Sequence, residues 1–172
     1  MSLVVPPGVQ SDGSWRVAFV ATLANPAAPK IATEIDAAGS VDGSCLLTKG
    51  GVGLDNSVDT YKDERLCTID VFEEIGSVTW SVKDLEFIID PQTPASASNK
   101  LYALIKAGWS GYLVIRMGLP ADQAWATTDK VWVVPVRIAP SVPLPPEKNT
   151  KLRAKATVVV NGNVEREVTP AT

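Results

Sequence analysis

The chain contains no histidine. That removes the commonest general base, the Ser–His and Cys–His nucleophile systems, and the commonest zinc ligand. Cysteine is scarce as well: Cys45 and Cys67 stand in separate segments with no C-x-x-C pair, which excludes an ordinary structural zinc site and a dense disulfide framework. Their apolar settings, Cys45-Leu46-Leu47 and Leu66-Cys67-Thr68-Ile69, predict buried free thiols, with one disulfide as the alternative. No apolar run approaches the roughly 18–20 residues that span a bilayer. The opening Met1-Ser2-Leu3-Val4-Val5-Pro6-Pro7 has no basic residue before its short apolar stretch and is broken at once by proline. It does not read as a secretory signal, so the expectation is a soluble protein folded in the cytoplasm, with no membrane partner. Positive charge is also in deficit, with 16 Lys and Arg against 19 Asp and Glu. Proteins that grip nucleic acid by neutralising phosphates carry the opposite balance.

What the chain does have is apolar residues, 45% of 172, and a moderate 20% of charged ones. This suits one domain with a real core. Period-2 alternation, the mark of half-buried strands, is the dominant pattern. It runs through Trp15, Val17 and Phe19; Cys67, Ile69 and Val71; Val78, Trp80 and Val82; and Leu152, Ala154, Ala156 and Val158. The continuous run Val131-Trp132-Val133-Val134-Pro135-Val136 predicts a strand buried on both faces, with Pro135 at an edge or bulge. Asn161-Gly162 is a hairpin signal. One helix is predicted from Ser96 or Ser98 through Asn99 to about Ala107, with Leu101, Leu104 and Ile105 on one face and Gly108 ending it. The fold class is therefore mainly β: a β-sandwich or half-barrel with one short flanking α-helix.

Three segments stand outside that body. Residues 1–13 are rich in proline and glycine and read as an arm. Residues 48–65 form a long polar loop with few core candidates; loops of this length are usually functional. Residues 139–150, with Ala139-Pro140-Ser141-Val142-Pro143-Leu144-Pro145-Pro146, read as an extended connector to a C-terminal hairpin.

Candidate chemistry is thin. Asp84, Glu86 and Asp90 share a strand face at even spacing beside Glu73-Glu74, which could hold calcium or cleave glycosides, but a solvated face has the same pattern. Gly50, Gly51 and Gly53 lack the lysine and the strand-to-helix frame of a phosphate loop. Pro140-Ser141-Val142-Pro143 has SH3-ligand spacing, which a connector explains more simply. Trp15, Trp80 and Trp132 lie in alternating apolar faces and read as core; Trp109 and Trp125 are less determined. No catalytic residue, metal ligand or cofactor site is expected.

The order of an arm, strands, a long polar loop, one short helix and closing strands resembles the major tail tube proteins of long-tailed (siphovirus-type) bacteriophages. Three segments carry the likeness, and they look like those of phages of actinobacteria. They are Asp63-Glu64-Arg65-Leu66-Cys67, Lys130-Val131-Trp132-Val133-Val134-Pro135-Val136, and Lys155-Ala156-Thr157-Val158-Val159-Val160-Asn161-Gly162-Asn163-Val164. The resemblance implies a virion protein, assembled in the host cytoplasm, whose copies form rings, six to a ring, that stack into a tube. DNA passes through without specific binding, and tail-tip initiator and terminator proteins are the further partners. It implies intersubunit contacts from the loop, through Asp55, Asp59, Tyr61, Lys62, Asp63, Glu64 and Arg65. The basic residues Lys148, Lys151, Arg153 and Lys155 are either the wet face of a strand or a partner for the Asp63-Glu64 end of that loop on the next subunit. The competing expectations are a β-sandwich module that binds carbohydrate or protein, and a tail-terminator ring.

Overall fold

The computed structural model describes residues 7–172. Its elements are β1 (Trp15–Val20), a π-helical turn (Ile31–Ile35), β2 (Val41–Asp42), β3 (Leu54–Asp63), β4 (Phe72–Val82) and β5 (Leu85–Ile88). A 3₁₀ turn (Ala97–Asn99) then leads into α1 (Lys100–Ile105), followed by β6 (Trp109–Met117), β7 (Val131–Ile138), β8 (Val142–Pro143), β9 (Arg153–Ala156), β10 (Val158–Val160) and β11 (Glu165–Val168). The fold is mainly β, with one short α-helix and no closed barrel among the described residues.

The body is a sandwich. A six-stranded antiparallel sheet runs β10-β7-β6-β1-β2, with β11 also paired to β7, and a three-stranded sheet runs β5-β9-β8. Val17, Phe19, Leu113, Ile115, Val134 and Val136 of the large sheet pack against Leu85, Phe87, Ala154 and Ala156 of the small one. The helix lays Leu101 and Ile105 into the same core. It starts where expected, with the Ser96 hydroxyl accepting from the Ser98 N–H at 3.3 Å. It stops at Gly108, whose φ of +89° is one that side chains with a Cβ resist. The second face of the large sheet, through Ala18, Val20, Val114, Val131 and Val133, is covered by Leu23, Ile35 and Trp125. Burial on both faces is why β7 reads as a nearly continuous apolar run, and why β1, read as alternating, is apolar at every position from Val17 to Val20.

Several expectations fail, each for a local reason. The expected long loop 48–65 is, over Leu54–Asp63, strand β3, paired with β4 in an isolated two-stranded hairpin. It lacks core residues because almost none of it touches the core of its own chain. The alternating Cys67, Ile69 and Val71 form no strand; they lie in the exposed tip of that hairpin. Both cysteines are free, as expected, but exposed rather than buried. Asn161-Gly162 does not reverse the chain. β10 and β11 both pair with β7, so they are two lengths of one edge strand interrupted beside Pro135. The Asn161 N–H donates to the Pro135 carbonyl, and the interruption falls where proline has no N–H to offer. The connector 139–150 holds a short strand, β8, at the outer edge of the small sheet, where Pro143 is tolerated. Trp15, Trp80 and Trp132 are half-buried, and the most buried tryptophan is Trp125. Of the expected arm, residues 7–13 are exposed and unpaired in any sheet, and residues 1–6 lie outside the described residues.

Candidate assembly surface

The hairpin β3–β4 is the feature the body does not need. Its register pairs Leu54 with Val82, Asn56 with Trp80, Val58 with Val78 and Thr60 with Ile75. Residues directly opposite in an antiparallel pair share a face, so Leu54, Val82, Trp80, Val58, Val78 and Ile75 form an apolar stripe, broken on the β3 side by Asn56 and Thr60. The stripe begins in the core at Val82, passes Trp80, which stacks edge-on against Trp132 at 5.9 Å, and then leaves the body. Beyond it, Val58 is 44%, Val78 47% and Ile75 72% exposed. The opposite face pairs Asp55 with Ser81, Ser57 with Thr79 and Tyr61 with Glu74, and is polar. The pairing shifts between Val58 and Thr60. At this bulge Gly76 lies so close to Asp59 that an added Cβ would meet its carbonyl oxygen at 3.2 Å.

A free two-stranded hairpin is at best marginally stable in water. This one holds itself together with side-chain pairs along its length. The Ser77 hydroxyl donates to Asp59 at 2.8 Å, and Arg65 bridges Asp63 at 2.6 Å. Tyr61 donates its hydroxyl to Glu74, a bond that raises the pKa of the phenol. Lys62 stands opposite Glu73 in the register. Asp55 accepts from the Asn56 N–H at 2.8 Å, and Glu64 is exposed at the turn. All seven loop residues expected to make contacts thus lie on the hairpin, six of them on its polar face or at its tip and Lys62 on the face of the stripe. The apolar part of the same hairpin, Ile75 and Val78 of β4 with Phe72 at that strand's start opposite Asp63, was missed. Its signal was the Val78-Trp80-Val82 alternation, which read as core and was cut short by the bulge.

Lys148 and Lys151 are exposed. Arg153 is held within the chain by Glu86 and Glu147, each at 2.5 Å. Burial works against its charge, but those two carboxylates outweigh it and raise its pKa. Lys155 is exposed on β9, opposite Glu86. The structure thus occupies Arg153 and Asp63 internally and leaves the three lysines free of short-range acid partners among the described residues. Asp84, Glu86 and Asp90 converge on nothing: no cluster of metal-ligating side chains occurs among the described residues. No described helix is long and apolar enough to cross a membrane.

At the root of the hairpin lie two adjoining grooves of about 510 and 520 Å³ that share Gly13, Ser44, Cys45 and Ala121. Trp15, Val17, Leu47 and Val52 give the first an apolar floor. Arg16 and Lys100 line the second. Its rim is fixed by Arg16, which donates to Asp42 at 2.9 Å. Burial raises the pKa of Asp42, but the hydrogen bonds from Ser44 and the bond and charge of Arg16 more than reverse this and hold it below its ordinary value.

Behind the grooves is a buried polar hub that sequence reasoning also missed. Arg116 is fully buried and donates to Asp129 at 2.8 Å and to the carbonyls of Pro120, Gln123 and Ala124 at 2.7–3.0 Å. The guanidinium groups of Arg16 and Arg116 stand 4.9 and 5.0 Å from the Trp125 ring centre, and both also donate to the Gln123 carbonyl. The segment from Gly118 to Lys130 is thereby locked over the second face of the large sheet.

Comparison with known proteins places this geometry. The sequence model of a family described as phage tail tube protein matches residues 4–172. No curated protein matches the chain. Among solved structures, it is similar to the sheath/tube terminator of an extracellular contractile injection system in its extended state. There the TM-score is 0.54 at 14% identity, over 95% of this chain and 97% of that one. It is similar to a chain of the anti-feeding prophage tube-terminating cap, with TM-score 0.54 at 13% identity over 96% of each. A chain of the six-fold symmetrised anti-feeding prophage baseplate gives 0.51 at 10% identity, over 94% of this chain and 96% of that one. At these identities the likeness is one of fold.

Proposed function

Because the chain belongs to the phage tail tube protein family, whose sequence model spans nearly its whole length, we propose that its copies form rings of six that stack into the tail tube. That membership makes it a structural tail protein of a phage or phage-like particle and not an enzyme. The further step, from tail component to tube, rests on the bare apolar stripe of the hairpin. Val58, Val78 and Ile75 are left substantially uncovered by the described residues of their own chain. A second copy is the partner that a homopolymer always has at hand, and ring closure also removes the free strand edges of β3 and β4. Asp55, Asp59, Tyr61, Lys62, Asp63, Glu64 and Arg65 are carried by the same hairpin to the solvent-facing rim of that contact. Lys148, Lys151 and Lys155 are the cations left to pair across it, with Arg153 shaping their segment.

In this reading the polar face of the hairpin, with Asp55, Asp59 and Glu74, stays in water. A conduit that DNA must slide through needs such a surface, one without clustered cations. The particle is a long-tailed phage of an actinobacterial host, assembled in the host cytoplasm, with a tail-tip initiator and a terminator at the two ends. A second reading, a terminator ring, is favoured by the likeness to a sheath/tube terminator and to a tube-terminating cap.

Negative-stain micrographs separate the two readings. Concentrated protein, alone and beside a tail-tip initiator, should give tubes of open-ended length with six-fold end views. Single rings that never stack would support the terminator. A protein that stays monomeric under both conditions would remove the tube reading.

A further inference from the structure

The hairpin carries a second apolar feature besides its stripe. At its tip, Leu66 and Ile69 are bare (112% and 101% exposed), and Val71 and Phe72 are half-exposed beside them. At its root, the groove floored by Trp15, Val17, Leu47 and Val52 is a concave apolar surface of about 510 Å³, with Cys45 on its wall. That volume lies in the range of roughly 300–1,000 Å³ typical of clefts that receive a ligand-sized group. One surface is a knob and the other a hole, and they sit at opposite ends of one element.

Their separation decides who can fill the groove. Val52 is two residues before β3 starts, and Leu66 is three residues after it ends. A strand rises about 3.3 Å per residue, so ten residues place the tip about 30 Å from the root. The hairpin is tied along its length by the β3–β4 backbone ladder and by the Ser77–Asp59 and Tyr61–Glu74 bonds, and cannot double back on itself. The tip therefore cannot reach the groove of its own chain. The charges at the two ends do not oppose the contact. In the Trp15–Val52 groove Asp12 and Lys49 hold each other, and in the adjoining groove Arg16 holds Asp42. The tip, with Glu64 and Asp70 beside Arg65, thus meets no uncompensated carboxylate among the described residues of the groove it enters.

We propose that the hairpin tip of one copy, Leu66 to Phe72, seats in the Trp15–Val52 groove of a second copy in the next ring. The proposal rests on the tube reading above and specifies its axial contact. A knob and a hole on different patches make a heterologous interface, which repeats without limit when it does not close. With knob and hole about 30 Å apart along one stiff element, the series runs head to tail.

The two cysteines of the chain report on this contact, because Cys67 lies in the tip and Cys45 in the groove, both exposed and free. The experiment treats assembled and dilute wild-type protein with a short bis-maleimide and reads the products on a denaturing gel, with micrographs of each sample. Assembled protein should give a ladder of covalent oligomers continuing past six rungs. The ladder should vanish in Cys45→Ser and in Cys67→Ser and be absent from dilute monomer. Tubes without a ladder, or a ladder that survives either serine variant, would overturn the proposal and leave the tube reading intact. A ladder that ends at six would put the contact within a ring and overturn its axial placement. Failure of every sample to form tubes would sink the tube reading, and this contact with it. As a check independent of thiols, Ile69→Asp, on a fully exposed side chain, should remain a folded monomer by circular dichroism and raise the critical concentration for tube formation at least tenfold; assembly at the wild-type concentration would count against the contact.

Discussion

The buried pair Arg116–Asp129 offers the sharpest test of how the body is held together. Asp129→Ala removes the only described carboxylate bonded to a guanidinium that no water reaches, with side-chain exposures of 0% and 3%. Removing one partner of such a pair costs about 3–5 kcal/mol, because the other charge stays buried without its counterion. The three carbonyls of Pro120, Gln123 and Ala124 still accept from Arg116, so the lower end, about 3 kcal/mol, is expected here. Arg116→Ala should cost more. It strands the charge of Asp129, leaves the Ala124 carbonyl without its donor, empties a large side chain from the sheet face and takes one cation off Trp125. The Gln123 carbonyl keeps Arg16 as a donor, and the Pro120 carbonyl keeps the Gln123 N–H. For a chain of this size 1 kcal/mol corresponds to about 2–4 °C in Tm, so Asp129→Ala should lower Tm by roughly 6–12 °C. The assay is urea and thermal unfolding of dilute monomer, followed by tryptophan fluorescence, since Trp125 sits in the hub. A loss under about 1 kcal/mol for Asp129→Ala would show that the carbonyl cage alone neutralises Arg116 and would refute the argument.

Four other outcomes are expected. Joining Val58 to Val78 through an Asn-Gly turn removes the distal hairpin while keeping Leu54, Trp80 and Val82 on the body; it should leave a folded monomer by circular dichroism that sedimentation shows no longer polymerises. Free protein should give no shift of duplex DNA at micromolar concentration and physiological salt, and a salt-sensitive shift would mean that Lys148, Lys151, Arg153 and Lys155 face nucleic acid. Asp42 has a folded pKa below its unfolded value of about 3.9, so its contribution is whole above that value and is lost as pH falls through the folded pKa; Asp42→Asn should flatten Tm against pH between about 5 and 3 relative to wild type. Tube growth followed by light scattering should show a lag that sonicated tube fragments abolish.

The sequence was most legible where burial is settled inside one chain. β1, β7 and α1 could be read because Phe19, Val134 and Leu101 answer to a core that the same chain supplies. Their apolar periods and the Ser96 and Gly108 boundaries follow directly. Legibility failed where the partner of a residue is polar and distant. Nothing local marks Arg116 as buried, because its counterion is 13 residues away and its other acceptors are main-chain carbonyls. It failed again at Asn161-Gly162, where a turn signal was spent on detouring around Pro135 within one edge strand. The contact residues failed in a third way. The 48–65 segment reads as a loop because a strand is recognised by the side it buries, and this one buries almost nothing at home. Its apolar half sits on β4, where Ile75 falls out of the Val78-Trp80-Val82 alternation by one bulge.

The same exposure bears on how a tube can be built without premature aggregation. Full burial of a valine or isoleucine side chain is worth about 1.5–3 kcal/mol, so covering the exposed portions of Val58, Val78 and Ile75 contributes about 2–5 kcal/mol. Bringing two proteins together costs roughly 4–15 kcal/mol in lost freedom before any contact is made. One hairpin contact between two monomers therefore roughly breaks even or falls short, and dimers stay rare in dilute solution. A copy that lands on an existing ring incurs the association cost once, yet gains the hairpin contact, a lateral neighbour and the tip-to-groove contact together. Growth on a ring face is then downhill while its nucleation is uphill. The acidic balance of the chain, 19 carboxylates against 16 cations, adds mild repulsion between free copies and pushes the threshold in the same direction. The half-covered stripe thus carries enough apolar surface to add a copy to a template and too little to start one.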